Sequence, residues 1–230
     1  MDAIILVGGK GTRLQKTIGL DTPKPLALIN GRPFLDILIQ RLENFQIIKN
    51  IILAVGYKKE KIIDRYKDKK NILFSEESSP LGTGGAIKKA IKLSQSKEIL
   101  VLNGDTYLEF SPSDLLKAHN ETKADITIVC RFEKNMARYG CISIETTTQK
   151  IISFDEKVQK ENGYINSGIY VMNNDVFNDY ESVDSFSIEK DFFAKILKIK
   201  NTFAYVIDCP FIDIGTDESY HRAQNILNLG

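Results

Sequence analysis

Short apolar runs alternate with amphipathic stretches through the first half of the chain, and this alternation limits the possible folds more than any other feature. The apolar runs predict strands at 3–7, 50–55, 71–75 and 98–104. Between them, apolar residues at helical spacing predict helices at 33–45, 58–68 and 84–94. Because strand–helix–strand units cross over with right-handed connections, the pattern predicts an α/β, Rossmann-like three-layer sandwich around a mostly parallel, mixed central sheet.

The second half of the chain changes character. Candidate strands follow one another closely, at 124–132, 139–145, 150–156 and 164–172. A helix at 187–199, a strand at 202–207 and a final helix at 216–229 come after them. Strands in such close succession favour antiparallel or mixed pairing. Since no internal repeat or linker divides the chain, we expect one domain over residues 1–230.

Charge and rare residues exclude several classes of protein. The 31 basic and 30 acidic residues leave a net charge of +1, which argues against a general nucleic-acid binder. Three widely spaced cysteines without a CxxC pair indicate neither a zinc knuckle nor a disulfide framework, and two histidines exclude a His-rich metal site. The sequence has no signal peptide and no apolar run near the roughly 20 residues that span a bilayer. We therefore expect a cytoplasmic protein without a membrane or nucleic-acid partner.

The loop that follows the first apolar run is the first candidate site. Glycines after a strand let the backbone approach a ligand and point N–H groups at phosphate oxygens. The stretch reads GGKGTRL, which lacks the spacing of a Walker A loop, and Leu14 stands where a dinucleotide fingerprint requires its third glycine. What remains is a phosphate-binding loop with its own cation, Arg13. A plain strand-to-helix turn is the alternative.

A second candidate cation follows within the segment TPKPL. Pro23 and Pro25 hold Lys24 on an extended segment, where it can present a point charge to a phosphate. On its own this pattern also fits an ordinary exposed loop.

Together the two segments resemble the signature of the sugar-1-phosphate nucleotidyltransferases, also called nucleotide-sugar pyrophosphorylases. Further segments are similar to this family in the family's order: EESSPLGTGGAI, LNGDTYL, FDEK, INSGIY and FIDIGTDESY. The resemblance spans essentially the whole chain. It implies an enzyme that joins a nucleoside triphosphate to a sugar 1-phosphate and releases pyrophosphate, with a nucleotide-binding half at 1–120 and a sugar-phosphate-binding half at 121–230.

The resemblance also implies roles for individual residues. Arg13 and Lys24 are the expected catalytic cations, because two polyanions must be brought together and charge grows on the leaving pyrophosphate. The expected nucleotide-binding residues are Leu6, Val7, Gly8, Gly9, Gly11, Thr12, Glu77, Gly82 and Thr83. The expected sugar-phosphate-binding residues are Gly104, Glu156, Lys157, Asn166 and Thr216. Asp105 and Asp213 are the expected ligands of Mg²⁺, which prefers carboxylate oxygens. A carboxylate between Ile212 and Ile214 is costly to bury unless it is paired or metal-bound.

The position of Glu77 favours guanine as the base. Relatives that use UTP or TTP commonly carry Gln there, whose amide both donates and accepts. A carboxylate only accepts, which suits the adjacent N1–H and N2–H₂ donors of guanine. The alternative is that Glu77 faces solvent and the backbone alone reads the base.

The sugar is less constrained. The chain most resembles bacterial D-glycero-D-manno-heptose 1-phosphate guanylyltransferases, whose product serves surface glycans. Mannose 1-phosphate guanylyltransferases are the next alternative, although many carry a further C-terminal domain that we do not expect here. Uridylyl-, thymidylyl- and cytidylyltransferases, and a non-catalytic nucleotide-sugar-binding homologue, also stay open. So does the oligomeric state, a homo-oligomer included.

Overall fold

The computed structural model describes residues 1–134, 141–155, 162–181 and 183–227. Its strands are β1 (Asp2–Leu6), β2 (Leu28–Ile29), β3 (Arg32–Pro33), β4 (Ile51–Val55), β5 (Ile72–Glu76), β6 (Glu98–Asn103), β7 (Thr106–Leu108), β8 (Ile126–Glu133), β9 (Cys141–Ile144), β10 (Ile151–Asp155), β11 (Gly163–Asn173), β12 (Thr202–Val206) and β13 (Phe211–Asp213). Its α-helices are α1 (Gln15–Ile18), α2 (Phe34–Glu43), α3 (Lys59–Tyr66), α4 (Gly82–Ile91), α5 (Pro112–Glu121), α6 (Ala194–Ile196) and α7 (Asp217–Ile226). A 3-10 turn covers Lys24–Leu26, and a π-helical turn covers Ile188–Phe193. None of the helices within these ranges is long and apolar enough to cross a lipid bilayer.

The central sheet contains the order β5-β4-β1-β6-β11-β8-β12. Parallel pairing joins β5 to β4, β4 to β1, β1 to β6 and β8 to β12. Only β11 in this series runs against its neighbours, since it pairs antiparallel with both β6 and β8. The predicted sheet, mostly parallel with mixed pairing in the second half, is confirmed.

Strand β11 has two partners along one of its edges. Its carboxyl half pairs with β6 from Ile169 to Asn173, whereas its amino half pairs with β9 at Tyr164 and Ile165. On the opposite edge, the register with β8 shifts between Asn166 and Tyr170. Strand β11 therefore extends past the carboxyl end of β6, and β9 and β10 form an antiparallel extension there.

Buried apolar side chains form two clusters, one on each face of the sheet. One cluster contains Ile5 and packs beneath α2, α3, α5 and α7. The other contains the preceding residue, Ile4, and packs beneath α4 and the π-helical turn. Alternate residues of a strand point to opposite faces, so each parallel strand contributes to both cores. Helices on both faces give the three layers that the sequence predicts.

Three helical regions differ from the sequence-based expectation. The short helix α1 (Gln15–Ile18) was not predicted. Helix α5 was not predicted, although its start carries a clear signal: Ser111 caps it by accepting a hydrogen bond from the Asp114 amide at 3.2 Å, and Pro112 occupies the first turn. The helix predicted at 187–199 begins as the π-helical turn and is regular α only over α6. Short π-helical turns are frequent at functional sites.

Candidate active site

Two adjoining clefts open at the carboxyl ends of the parallel strands. The larger has a volume of about 570 Å³ and is lined by Leu6, Gly8, Gly9, Lys10, Ala54, Gly56, Tyr57, Glu77, Ser78, Ser79, Pro80, Gly82, Thr83 and Ala86. The smaller, of about 270 Å³, is lined by Gly9, Gly11, Thr12, Arg13, Lys24, Pro25, Asp105 and Gly215. The clefts meet at Gly9. Ligands of open α/β sheets bind at this edge of the sheet, and eight of the nine predicted nucleotide-binding residues line one cleft or the other.

The ninth residue, Val7, is buried in the core, and its amide donates to the Ala54 carbonyl at 3.0 Å. Its contribution to the site is therefore to hold the start of the loop against β4.

The glycines of the first loop serve different purposes. A Cβ on Gly8 would lie 2.7 Å from Glu77 Oε1, and one on Gly11 would lie 2.7 Å from the Cβ of Lys24. Gly11 also has a φ of 59°, a conformation that L side chains rarely adopt. Around Gly9, by contrast, no heavy atom of the described residues other than its chain neighbours lies within 4 Å of a built Cβ. Contacts inside the protein therefore explain Gly8 and Gly11 and leave Gly9 unexplained.

The smaller cleft holds two cations. The predicted extended segment is wrong at Lys24, because this residue begins the 3-10 turn with Pro25 inside it. Lys24 is buried, so it does not lie on an ordinary exposed loop, and its Nζ donates to Asp105 Oδ2 at 2.5 Å. A Cβ built on Gly215 would be 3.7 Å from Lys24 Nζ and 3.9 Å from an Arg13 Nη atom, so both cations converge on the bare backbone of Gly215. Asp105 pairs with Lys24, and Asp213 Oδ1 lies 2.8 Å from the same Cβ position on Gly215. The cleft thus brings two cations together with the two predicted metal ligands.

The two predicted metal ligands lie side by side. Asp213 pairs with Thr106 between β13 and β7, and the Ile214 amide donates to the Asp105 carbonyl at 3.0 Å. Asp213 Oδ1 accepts hydrogen bonds from the Gly215 amide at 2.8 Å and from Ser219 Oγ at 3.0 Å, which fixes its orientation. The sequence places these carboxylates more than a hundred residues apart, and the pairing of two three-residue strands brings them together.

The donor set fits Mg²⁺. No group of three or more His, Cys, Asp or Glu side chains that could hold a metal occurs in the part of the chain that the structure describes. Mg²⁺ is usually bound by one or two carboxylates together with substrate phosphates, rather than by a cage made only of protein ligands. Two neighbouring carboxylates beside the cleft that holds Arg13 and Lys24 agree with this mode of Mg²⁺ binding.

Glu77 lies on the wall of the larger cleft. Its Oε2 accepts a hydrogen bond from the Leu81 amide at 3.0 Å, and its Oε1 faces the bare Cα of Gly8. The bond to Leu81 orients the carboxylate within its own loop. The side chain is half-buried, so the alternative of a fully solvent-facing Glu77 has little support.

Glycines at the start of α4 make room for a segment from the second half of the chain. A Cβ on Gly82, whose φ is 67°, would lie 2.5 Å from the Phe186 carbonyl oxygen. That oxygen accepts from the Gly84 amide at 2.9 Å, while the Phe186 amide donates to the Leu81 carbonyl at 3.0 Å. The hydroxyl of Thr83 accepts from the Ile188 amide at 2.9 Å. The first turn of α4 is thus engaged by residues 186–188, a contact that sequence reasoning missed.

The predicted sugar-phosphate residues are placed less uniformly. Gly104 packs against the Leu6 carbonyl, to which its amide donates at 3.0 Å. Thr216 forms a capping box with Ser219 at the start of α7. Asn166 lies where β11 passes the end of β6. Glu156 and Lys157 lie outside the described residues.

Several lining residues escaped the sequence-based predictions. Gly56 and Tyr57 follow β4 directly, and the Tyr57 amide donates to the Gly8 carbonyl at 3.0 Å. Parallel strand ends share one edge of a sheet, so a residue directly after the second strand could have been predicted there. Gly215 stands within the FIDIGT segment, but a Cβ there would lie 2.8 Å from Asp213 Oδ1. No sequence signal reveals that contact.

Comparison with known proteins identifies relatives along the whole chain. The family model described as "Nucleotidyl transferase" matches residues 2–228. A protein of Campylobacter jejuni named D-glycero-alpha-D-manno-heptose 1-phosphate guanylyltransferase is 43% identical, covering 96% of this chain and 98% of its own. One of the same name from Aneurinibacillus thermoaerophilus is 37% identical, covering 99% and 98%. The crystal structure of HddC from Yersinia pseudotuberculosis complexed with GMP-PN is 38% identical with a TM-score of 0.84, covering 97% and 98%.

Proposed function

Since this chain belongs to the Nucleotidyl transferase family, we propose that it transfers a guanylyl group from GTP to a sugar 1-phosphate. The products are a GDP-sugar and pyrophosphate. D-glycero-D-manno-heptose 1-phosphate is the proposed acceptor, supported by the names of the two relatives that cover nearly the whole chain. A reaction that consumes GTP fits an enzyme of the cytoplasm.

The observation that carries the proposal is the position of Glu77 beside the cleft that holds Arg13 and Lys24. Its carboxylate lines the larger cleft, which meets the smaller one at Gly9. A carboxylate can accept from both N1–H and N2–H₂ of guanine, and uracil or thymine offers no such pair of adjacent donors. A base next to Glu77 would place its phosphates toward Arg13 and Lys24.

The proposed reaction is an in-line displacement at the α-phosphorus. An oxygen of the sugar phosphate forms the new bond to phosphorus while the bond to the bridging oxygen of the leaving pyrophosphate breaks. The attacking oxygen is already ionised at neutral pH, so no general base is required. Arg13 would bind the β- and γ-phosphates, with the backbone amides of residues 9–12. Lys24 would hold the α-phosphate as charge builds on it.

Asp105 and Asp213 would hold Mg²⁺. When bound, the metal supplies electrostatic stabilisation of phosphate oxygens. Lys24 and Asp105 form an ion pair with each other in this structure. When substrate and metal bind, Lys24 would pair with a phosphate and Asp105 with the metal instead.

The division into two halves follows the same logic. Both clefts are lined almost entirely by residues before 120, which supports residues 1–120 as the nucleotide-binding half. Residues 121–230 would bind the sugar phosphate, with Asn166 and Thr216 among the contributors and with Glu156 and Lys157 proposed from the family resemblance alone.

The direct test is a matrix of substrates. The protein is incubated with each nucleoside triphosphate, Mg²⁺ and a panel of sugar 1-phosphates that includes the heptose and mannose compounds, and pyrophosphate release is measured. We expect release with GTP and the heptose phosphate. No release with any pair would refute the enzyme proposal, and release with UTP but not GTP would refute the role of Glu77.

A second test concerns Glu77 itself. Glu77→Gln keeps an oxygen that can accept from the Leu81 amide but removes the charged acceptor, so kcat/KM for GTP should fall about 10-fold to 100-fold, the scale of a hydrogen bond to a charged group. Glu76→Gln is the matched control, since Glu76 pairs with Lys59 outside the clefts. Equal effects of the two substitutions would contradict the assignment.

Lys24→Ala tests the catalytic cation. It should abolish pyrophosphate release while GTP affinity, measured by calorimetry, falls much less. A variant with full turnover would exclude the role assigned to Lys24.

A further inference from the structure

Glu189 is an exposed carboxylate on the π-helical turn, in a segment to which neither the clefts nor the proposed chemistry gives a role. Its Oε1 accepts a hydrogen bond from Asn166 Nδ2 at 2.9 Å. It therefore stands next to the residue that the sequence assigns to sugar binding.

The amide of Asn166 is largely committed within the protein. Its Nδ2 donates to Tyr170 Oη at 2.8 Å as well as to Glu189, and its Oδ1 accepts from the Gly168 amide at 2.8 Å. An amide nitrogen has two hydrogens, so Asn166 cannot donate to a sugar without breaking one of these bonds. The buried Tyr170 fixes one side of this network. Asn166 is better placed to orient Glu189 than to donate to a sugar itself.

The hydrogen-bond network of Asn166, Tyr170 and Glu189 lies next to the carboxyl end of β6, which Asp105 follows. Gly168 has a φ of 74°, and a Cβ there would collide with the side chain of Asn103, the last residue of β6. Gly104 and Asp105 follow directly. The bare Gly168 thus brings the turn of β11 against the carboxyl end of β6, beside the proposed metal ligands.

The other side of Glu189 is tied to the nucleotide half. Residues 186–188, directly before it, bond through their backbone to Leu81, Gly84 and the Thr83 hydroxyl. Thr83 lines the larger cleft. Anchoring on both sides holds Glu189 between the proposed nucleotide cleft and the end of β6, where an acceptor bound for in-line attack would extend.

From this placement we propose that Glu189 is a specificity-determining residue whose carboxylate accepts hydrogen bonds from hydroxyl groups of the sugar 1-phosphate. The inference rests on the proposed function. A carboxylate repels phosphate and accepts from hydroxyls, so Glu189 reads the sugar and not its phosphate. Asn166 acts as the positioning residue that holds one carboxylate oxygen.

Kinetics of Glu189→Gln and Glu189→Ala test the assignment. Gln keeps an oxygen that Asn166 can donate to but removes the charge, so KM for the sugar 1-phosphate should rise about 10-fold or more, with KM for GTP and the melting temperature unchanged. Glu181→Gln, the same substitution at an exposed position earlier in this region, should leave all three values unchanged.

Monodeoxy sugar 1-phosphates locate the contact. Wild-type protein should lose activity with the analogue that lacks the recognised hydroxyl, and Glu189→Ala should discriminate against that analogue far less. An unchanged KM for the sugar phosphate in Glu189→Gln, or an equal rise in KM for GTP, would overturn the role of Glu189 while the proposed function stands. Wild-type protein without pyrophosphate release would overturn the proposed function and this inference together.

Discussion

Gly9 offers a test that separates folding from ligand binding. Its φ is not positive, and a Cβ there meets no atom of the described residues within 4 Å beyond its chain neighbours. Replacing glycine by alanine at a permitted backbone conformation stabilises a protein by about 0.4–1 kcal/mol, because the unfolded chain loses freedom. For a chain of this size the melting temperature of Gly9→Ala should therefore rise by about 1–4 °C.

The same substitution should damage nucleotide binding. Gly9 lines both clefts at the point where they meet, so the added methyl group would stand between the proposed positions of the base and the phosphates. We expect the affinity for GTP to fall at least about 10-fold, which corresponds to about 1.4 kcal/mol. Differential scanning fluorimetry without ligand and isothermal titration calorimetry with GTP measure the two effects.

Gly11→Ala is the matched comparison. A positive φ costs an L residue roughly 1–2 kcal/mol, and the new Cβ would press on the stem of Lys24 at 2.7 Å. This variant should lose both stability and binding. If Gly9→Ala bound GTP as the wild type does, the ligand would not approach Gly9. If it lost stability, the reasoning from open space around Gly9 would be wrong.

Two further predictions concern Asp36, which lies away from the two clefts, and Gly215, which lines the smaller one. Burial alone would raise the pKa of Asp36, but hydrogen bonds from Arg65 and Tyr66 outweigh it and lower the pKa below its usual value. The stability that this carboxylate contributes is present above its unfolded pKa and is lost as pH falls through the folded one. Urea unfolding should therefore show that Asp36→Asn destabilises at pH 7 by about 1–3 kcal/mol, and that this cost shrinks as the pH is lowered below the unfolded pKa. A similar loss at both pH values would contradict this account. Gly215→Ala should displace the carboxylate of Asp213, which would lie 2.8 Å from the new Cβ, and raise the Mg²⁺ concentration for half-maximal turnover; an unchanged metal dependence would show that Asp213 binds no metal.

The first half of the fold was predictable because its strands are short apolar runs separated by regular helices. Parallel strands end at one edge, so residues directly after them, such as Gly8 and Asp105, are expected to lie together on the strength of the amino-acid pattern alone. The glycine loop and Lys24 could be predicted for another reason, because residue types with a clear chemical purpose occur there in a short stretch.

The rest depends on contacts that leave no local signal. The resemblance assigns Gly82 to nucleotide binding, and Gly82 lines the larger cleft. The glycines at 82, 84 and 85 also accommodate residues 184–186, a contact that the sequence does not indicate. Tertiary packing decides which segment from the other half of the chain contacts these glycines, and the local sequence carries no signal for it. The role of Glu189 is hidden in the same way, because a charged residue at the start of a helical segment is ordinary in sequence and becomes informative only beside Asn166.

The junction between α4 and residues 186–188 is built mainly from backbone groups, with bare glycines on one side. Backbone hydrogen bonds do not depend on which side chains stand nearby. Substitutions at Glu77, the proposed contact to the base, and at Glu189, the proposed contact to the sugar, should therefore leave the contact between the two halves in place. Under these proposals, nucleotide and sugar specificity could change independently on one scaffold, and the two positions could be varied one at a time in protein engineering.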